Sequence, residues 1–152
     1  MSSERPGYAL PLLLLAGFRT LVDTLHEQLA REGHPDARPS HGFALQAIGS
    51  GTTATELGRT LGVSKQAAAK TVAGLESVGY VERVPDPADA RRILVRPTAR
   101  GRHLLDRSAA IFDALRDGWA GELGEDAVRT VEDSLRRVAG PPGLDAPAWF
   151  SR

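Results

Sequence analysis

The 152-residue sequence predicts a mainly α-helical fold with one small β-hairpin. Three observations carry that expectation. Apolar residues recur at spacings of three and four near both ends of the chain. Two helices with strong capping signals stand in the middle, separated by a Gly-Val turn. Directly after them, two short β-branched runs flank a polar loop.

Taken in order, Leu14, Phe18, Leu21, Leu25 and Leu29 form one face of a helix from about Tyr8 to Arg31. Its opening run, "LPLLLLAGF" at Leu10–Phe18, is far short of the ~20 residues that span a bilayer. Arg5 beside Glu4 makes a poor signal-peptide start, so the run reads as a buried helix. Gly33, Pro35 and Pro39 break it. Ser40 is expected to cap a short helix through Ile48, with Phe43, Leu45 and Ile48 apolar. Thr53 and Glu56 form a Thr-x-x-Glu capping box, which satisfies two orphan amides reciprocally. Leu57 and Leu61 face inward, and Gly62 sits where that helix must end with positive φ. Ser64 caps the next helix, "SKQAAAKTVAGLESVG", whose Ala68, Val72 and Leu75 point inward until Gly79 ends it. "YVERV" (Tyr80–Val84) and "ILVRP" (Ile93–Pro97) read as strands around the loop "PDPADARR". Pro97 fits only at an edge or a strand end. Thr98 caps a long helix to about Trp119, with Leu104, Leu105, Ala109, Phe112 and Leu115 apolar, and Gly121 and Gly124 interrupt it. A last helix over about Glu125–Val138 turns Val128, Val131, Leu135 and Val138 inward. Residues 139–152 form a tail in which Trp149 and Phe150 are expected to dock.

The pair Thr53–Leu61 and Ser64–Val78 is a helix-turn-helix, and the hairpin after it makes a winged helix. Charge agrees with an anion-facing centre. The chain is neutral overall, yet residues 59–107 hold ten Lys/Arg against five Asp/Glu, while 1–58 hold four against six and 108–152 five against eight. Ser64, Lys65, Gln66, Ala69 and Lys70 lie on the N-terminal half of the second helix, away from Val72 and Leu75. Lys65 and Gln66 are long enough to reach base edges, Gln suiting adenine and Lys suiting guanine. The alanines keep the helix slim, and Lys70 suits a phosphate. At the hairpin tip, Arg91 and Arg92 can reach phosphates or a narrow minor groove. Asp89 can fix the Arg91 guanidinium by a charge-assisted hydrogen bond.

Other chemistry finds little support. The chain has no cysteine, which excludes disulfides, thiolate metal sites and thiol redox sensing, and fits a reducing cytoplasm. No Gly-rich phosphate loop, His-x-x-x-His motif or nucleophile elbow is present, so no enzyme is expected. No cofactor is implied. His26, His34, His41 and His103 form no i, i+3 or i, i+4 pair, so no metal site is expected.

The block "ATELGRTLGVSKQAAAKTVAGLESVGYVERVPDPADARRILVRPTARG" resembles the MarR family of bacterial regulators. The "LGVS" turn, the "LESVGYVER" helix exit and "DPADARR" followed by Thr-x-x-Gly carry the resemblance, which extends over about Tyr8 to Val138. The family most often has leucine where this chain has Pro97. The resemblance implies one domain over 1–152, with a DNA-binding winged helix at 40–97 and dimerisation helices at 8–32 and 98–138. It implies a cytoplasmic homodimer on a pseudo-palindromic double-stranded site, usually as a repressor, with no membrane partner. Ser64, Lys65, Gln66, Ala69 and Lys70 then match the recognition helix, and Asp89, Arg91 and Arg92 the wing. It also implies a pocket for phenolic or aromatic acids, with Phe18, His41, Phe43 and Phe112 as candidate lining residues. A protein-binding winged helix and a metal-responsive regulator are the alternatives. Dimerisation has a reason of its own: the terminal helices hold more apolar residues than one winged helix needs.

Overall fold

A computed structural model describes residues 4–144. The elements run α1 (Ala9–Arg31), α2 (Pro39–Ile48), α3 (Ala54–Leu61), α4 (Lys65–Ser77), β1 (Val81–Pro85), β2 (Ile93–Pro97), α5 (Ala99–Leu123) and α6 (Glu125–Ala139). Short-range capping sets most of these boundaries. Thr53 Oγ1 accepts the Glu56 N–H at 3.2 Å, and Glu56 Oε2 accepts the Thr53 N–H at 3.3 Å. Ser64 Oγ accepts the Ala67 N–H at 3.1 Å, and Thr98 Oγ1 accepts the Gly101 N–H at 3.1 Å. Gly62 ends α3 in the left-handed region, at φ 67°, where a side chain would be strained.

Two helix ends differ from expectation. Arg38, not Ser40, occupies the N-cap of α2, and its N–H donates to His41 Nδ1 at 3.1 Å. Pro39 takes the first helical position, where its missing N–H costs nothing. A neutral imidazole thus does at α2 what Glu56 does at α3. Helix α5 runs through Gly121 and stops only at Gly124, φ 93°. One helical glycine costs about 1 kcal/mol, and the α5–α6 junction is cross-braced. Arg116 donates to Glu132 at 2.6 Å and to Glu125 at 2.9 Å.

The hairpin pairs Val81 with Pro97 and Pro85 with Ile93, so Pro97 sits in the last pair of the strand. Strand β1 starts one residue after Tyr80, whose ring is fully buried. Thr52 pairs with Val95 as a one-residue third strand, a contact not anticipated from sequence. It exchanges backbone hydrogen bonds of 3.0 and 2.7 Å with Val95, rooting the wing just ahead of α3.

The core gathers Leu25 and Leu29 of α1, Leu45 and Ile48 of α2, Leu57 of α3, Val72 and Leu75 of α4, and Leu104 and Ile111 of α5. The apolar runs at the chain's ends do not join it. Leu10, Leu13 and Leu14 are 64%, 67% and 44% exposed, and Val131, Leu135 and Val138 are 49%, 38% and 83% exposed. Contrary to expectation, these residues are not buried within one chain. Within α1 the buried residues are Leu25 and Leu29, in its C-terminal half, and α6 buries only Val128. By length and composition alone, α1 would also suffice to cross a membrane. The expected docking of Trp149 and Phe150 lies outside the described residues.

Candidate nucleic-acid interface

Helix α4 is held against α3 by Ala68, Val72 and Leu75, all fully buried. That fixes which side it offers to solvent. Ser64, Lys65, Gln66, Ala67, Lys70, Ala73 and Gly74 are exposed, and Ala69 is half-buried. Sequence reasoning named Ala69 and missed Ala73, which at 100° per residue falls between Ala69 and Gln66. A helical projection from the three inward residues would have found it. Alanine and glycine dominate this face between the long polar side chains. A backbone so lightly covered can approach a groove wall closely.

The wing tip is built from its own side chains. Asp86 Oδ1 accepts the Ala88 N–H at 2.9 Å, and Asp89 Oδ1 accepts the Arg91 N–H at 3.1 Å. The same Asp89 oxygen accepts Arg91 Nε at 3.4 Å, as the spacing predicts. The Arg91 side chain is 94% exposed. Arg92 points elsewhere: its guanidinium donates to Glu56 Oε1 at 2.9 Å. Thr53, Thr52 and Arg92 together hold the Glu56 carboxyl below its usual range.

Between α1, α2 and α5 lies a cavity of about 260 Å³ with Phe18, Phe43 and Phe112 in its wall. His41 is not part of that wall. It caps α2 and meets the Tyr80 ring edge-on, with centroids 5.8 Å apart. His26 lines the cavity, its Nδ1 buried without a hydrogen-bond partner among the described residues, and Arg38 lines it too.

His34 is 2% exposed and links three elements. Its Nδ1 lies 3.0 Å from the Tyr80 hydroxyl and its Nε2 2.7 Å from His103 Nδ1. A proton must sit on one of those two facing nitrogens, so the pair cannot bond with both bare. Burial is the largest cause holding His26, His34 and His41 below the ordinary imidazole range, and nearby Arg100 and His103 add to it at His34. The unfolded chain therefore binds more protons than the folded one once pH falls below about 6.5. Stability is full above that value and declines below it. Each such proton steepens the decline by at most ~1.4 kcal/mol per pH unit. Thermal melts should show a lower midpoint at about pH 5.5 than at about pH 7.5. The four lowered glutamates contribute only further down, as pH falls through their depressed pKa values below 4.5. Equal midpoints at the two pH values would contradict neutral burial.

Two capped helices joined across Gly62, with a basic-tipped hairpin rooted on the first, define a winged helix-turn-helix of the transcription-regulator class. The family model described as MarR family matches residues 43–92, which contain α3, α4 and the wing tip. The chain is thus similar to the MarR family over about a third of its length. It is 38% identical over 66 residues to the HTH-type transcriptional regulator YcgE of Bacillus subtilis (strain 168), a match spanning 43% of each chain. It thus covers less than half the length of that relative. Among solved structures, the reduced form of MarR from E. coli superposes with a TM-score of 0.67 at 26% identity, over 90% of this chain and 98% of that one. CouR from Rhodococcus jostii RHA1, solved bound to p-coumaroyl-CoA, gives 0.63 at 24% identity over 92% and 98%, a likeness of fold.

Proposed function

We propose that this chain is a homodimeric, sequence-specific double-stranded DNA-binding regulator of the cytoplasm, a repressor released by a small aromatic or phenolic ligand. The observation that carries the DNA reading is the slim exposed face of α4 standing beside the outward Arg91 of the wing. Lys65 and Gln66 read base edges, while Ser64 and Ala69 let the first turn of α4 sit close to the groove. Lys70 meets phosphate, and Arg91, steadied by Asp89, enters the neighbouring minor groove.

The uncovered leucines and valines of α1 and α6 support a second copy as the partner of that surface, and not a bilayer. Pairing two recognition helices one DNA turn apart then joins two modest half-sites. The apolar cavity between the terminal helices and the winged helix supports an aromatic ligand, as does the acyl-aromatic ligand of CouR. Such a ligand regulates by favouring one separation of the recognition helices over another.

Selection of bound fragments from a genomic DNA pool, with and without candidate aromatic acids, tests the reading. Arg91→Ala should weaken binding across most sequences. Gln66→Ala should shift preference at one base position by ~1–3 kcal/mol. Gel shifts in which both variants bind the selected site as the wild type does would remove these roles.

A further inference from the structure

The second arginine of the wing is already engaged. Arg92 Nη2 donates to Glu56 Oε1 at 2.9 Å, and its Nη1 lies 3.9 Å from Asp86 Oδ2. The other oxygen of Glu56 accepts the Thr52 hydroxyl at 3.0 Å and the Thr53 N–H at 3.3 Å. One carboxylate thus joins the start of α3 to the base of the wing tip. Farther down the hairpin, Thr52 and Val95 exchange two backbone hydrogen bonds. At the tip, the Asp86 N–H donates to the Arg92 carbonyl at 2.9 Å. The wing is therefore tied to the α3–α4 unit at two heights, and Arg91 projects from just above the upper tie.

An isolated exposed ion pair does little. This one differs because the helix cap already fixes the carboxylate, so only the arginine has to be ordered. A freely hinged wing would spread Arg91 over many positions, and each binding event would then have to freeze them.

We propose that Glu56 and Arg92 are positioning residues, which set the height of Arg91 above the exposed face of α4, and that Arg92 does not itself neutralise a phosphate. This rests on the DNA-binding reading above. The competing arrangement, in which Arg92 leaves Glu56 for a phosphate, predicts the opposite sign at Glu56. Removing that carboxylate would free a cation and delete a repelling charge, and binding would tighten.

The experiment compares the full chain with Glu56→Gln, Arg92→Gln, Arg91→Gln and the Glu56→Gln/Arg92→Gln double variant. Without DNA, amide hydrogen exchange at Asp86 and Arg92 should quicken several-fold in Glu56→Gln and Arg92→Gln and stay unchanged in Arg91→Gln. Fluorescence anisotropy then follows a random-sequence duplex of about three helical turns across a salt series. Arg91→Gln should flatten the salt slope by about 0.9 per protomer. Glu56→Gln and Arg92→Gln should each weaken binding by about three- to five-fold with the slope unchanged. The double variant should bind no worse than either single one. Unaltered exchange in Glu56→Gln, tighter binding by that variant, or an Arg92→Gln slope as flat as that of Arg91→Gln would each overturn the proposal. A wild-type chain that ignores the duplex removes the DNA-binding reading itself, and with it the claim on Arg91. The exchange data then still decide whether Glu56 and Arg92 hold the wing.

Discussion

Replacing Gly101 by alanine should destabilise the chain by about 3 kcal/mol or more, a drop on the order of 10 °C in melting midpoint. Gly101 lies in the first turn of α5, in ordinary helical conformation, so the constraint is space and not backbone angle. A Cβ there would overlap the Tyr80 carbonyl oxygen and sit 3.4 Å from Leu45 Cδ2. Neither neighbour can retreat. The Tyr80 carbonyl accepts the Thr98 N–H at 3.0 Å, the Tyr80 ring is fully buried, and Leu45 is part of the core. Relief would have to come from pushing the start of β1 away from α5, which shifts the wing. The Thr98-x-x-Gly101 motif therefore does one job. Thr98 caps α5 and also donates its hydroxyl to the Gly79 carbonyl at 2.6 Å, while Gly101 lets the strand's entry lie against the helix. Gly118→Ala is the control, since a Cβ there meets nothing within 4 Å among the described residues. It should be neutral or stabilising by up to ~1 kcal/mol. Differential scanning calorimetry on the two variants reads both effects, and comparable midpoints for them would refute the steric account.

Leu14→Glu combined with Val131→Glu should convert the dimer proposed above to monomers and weaken binding to the selected DNA site by about 10²–10⁴-fold. These side chains are 44% and 49% exposed in the single chain, so charging them leaves the core untouched. Melting of the monomer fold should change little by comparison with Gly101→Ala. The loss in affinity comes from geometry: each recognition helix keeps its contacts, but the second half-site is no longer presented at high effective concentration. Sedimentation and anisotropy on the same samples check both halves of the claim. A double variant that stays dimeric places the interface elsewhere. A monomer with undiminished affinity would mean that pairing does not matter to DNA binding. A wild-type chain that sediments as a monomer and binds neutral lipid vesicles would assign the apolar half of α1 to a bilayer.

The winged helix was readable because its signals are local. The Thr53–Glu56 box, the caps at Ser64 and Thr98 and the turn at Gly62 each depend on residues three or four positions apart. The Asp89–Arg91 contact spans two positions and was equally legible. Periodicity likewise fixed the inward face of α4, though the exposed Ala73 went unnamed. Reading the runs at both ends as buried failed for a different reason. An apolar period reports that a face seeks cover, and says nothing about whether the cover comes from the same chain.

The amino-acid sequence alone determined where α3 and α4 start and stop, that a hairpin follows the helix pair, and that arginine crowns it, because those outcomes depend on short stretches of backbone and their adjacent side chains. Only the tertiary structure decided that Arg92 turns back to Glu56, 36 positions away, that His34 meets His103, 69 positions away, and that His41 faces Tyr80 and not the cavity. The histidine contacts exist because packing α1, α2 and α5 around Leu45 and Leu104 brings distant segments together, and the arginine contact because the Thr52–Val95 bridge seats the wing beside α3. Separation along the chain carries no record of that packing.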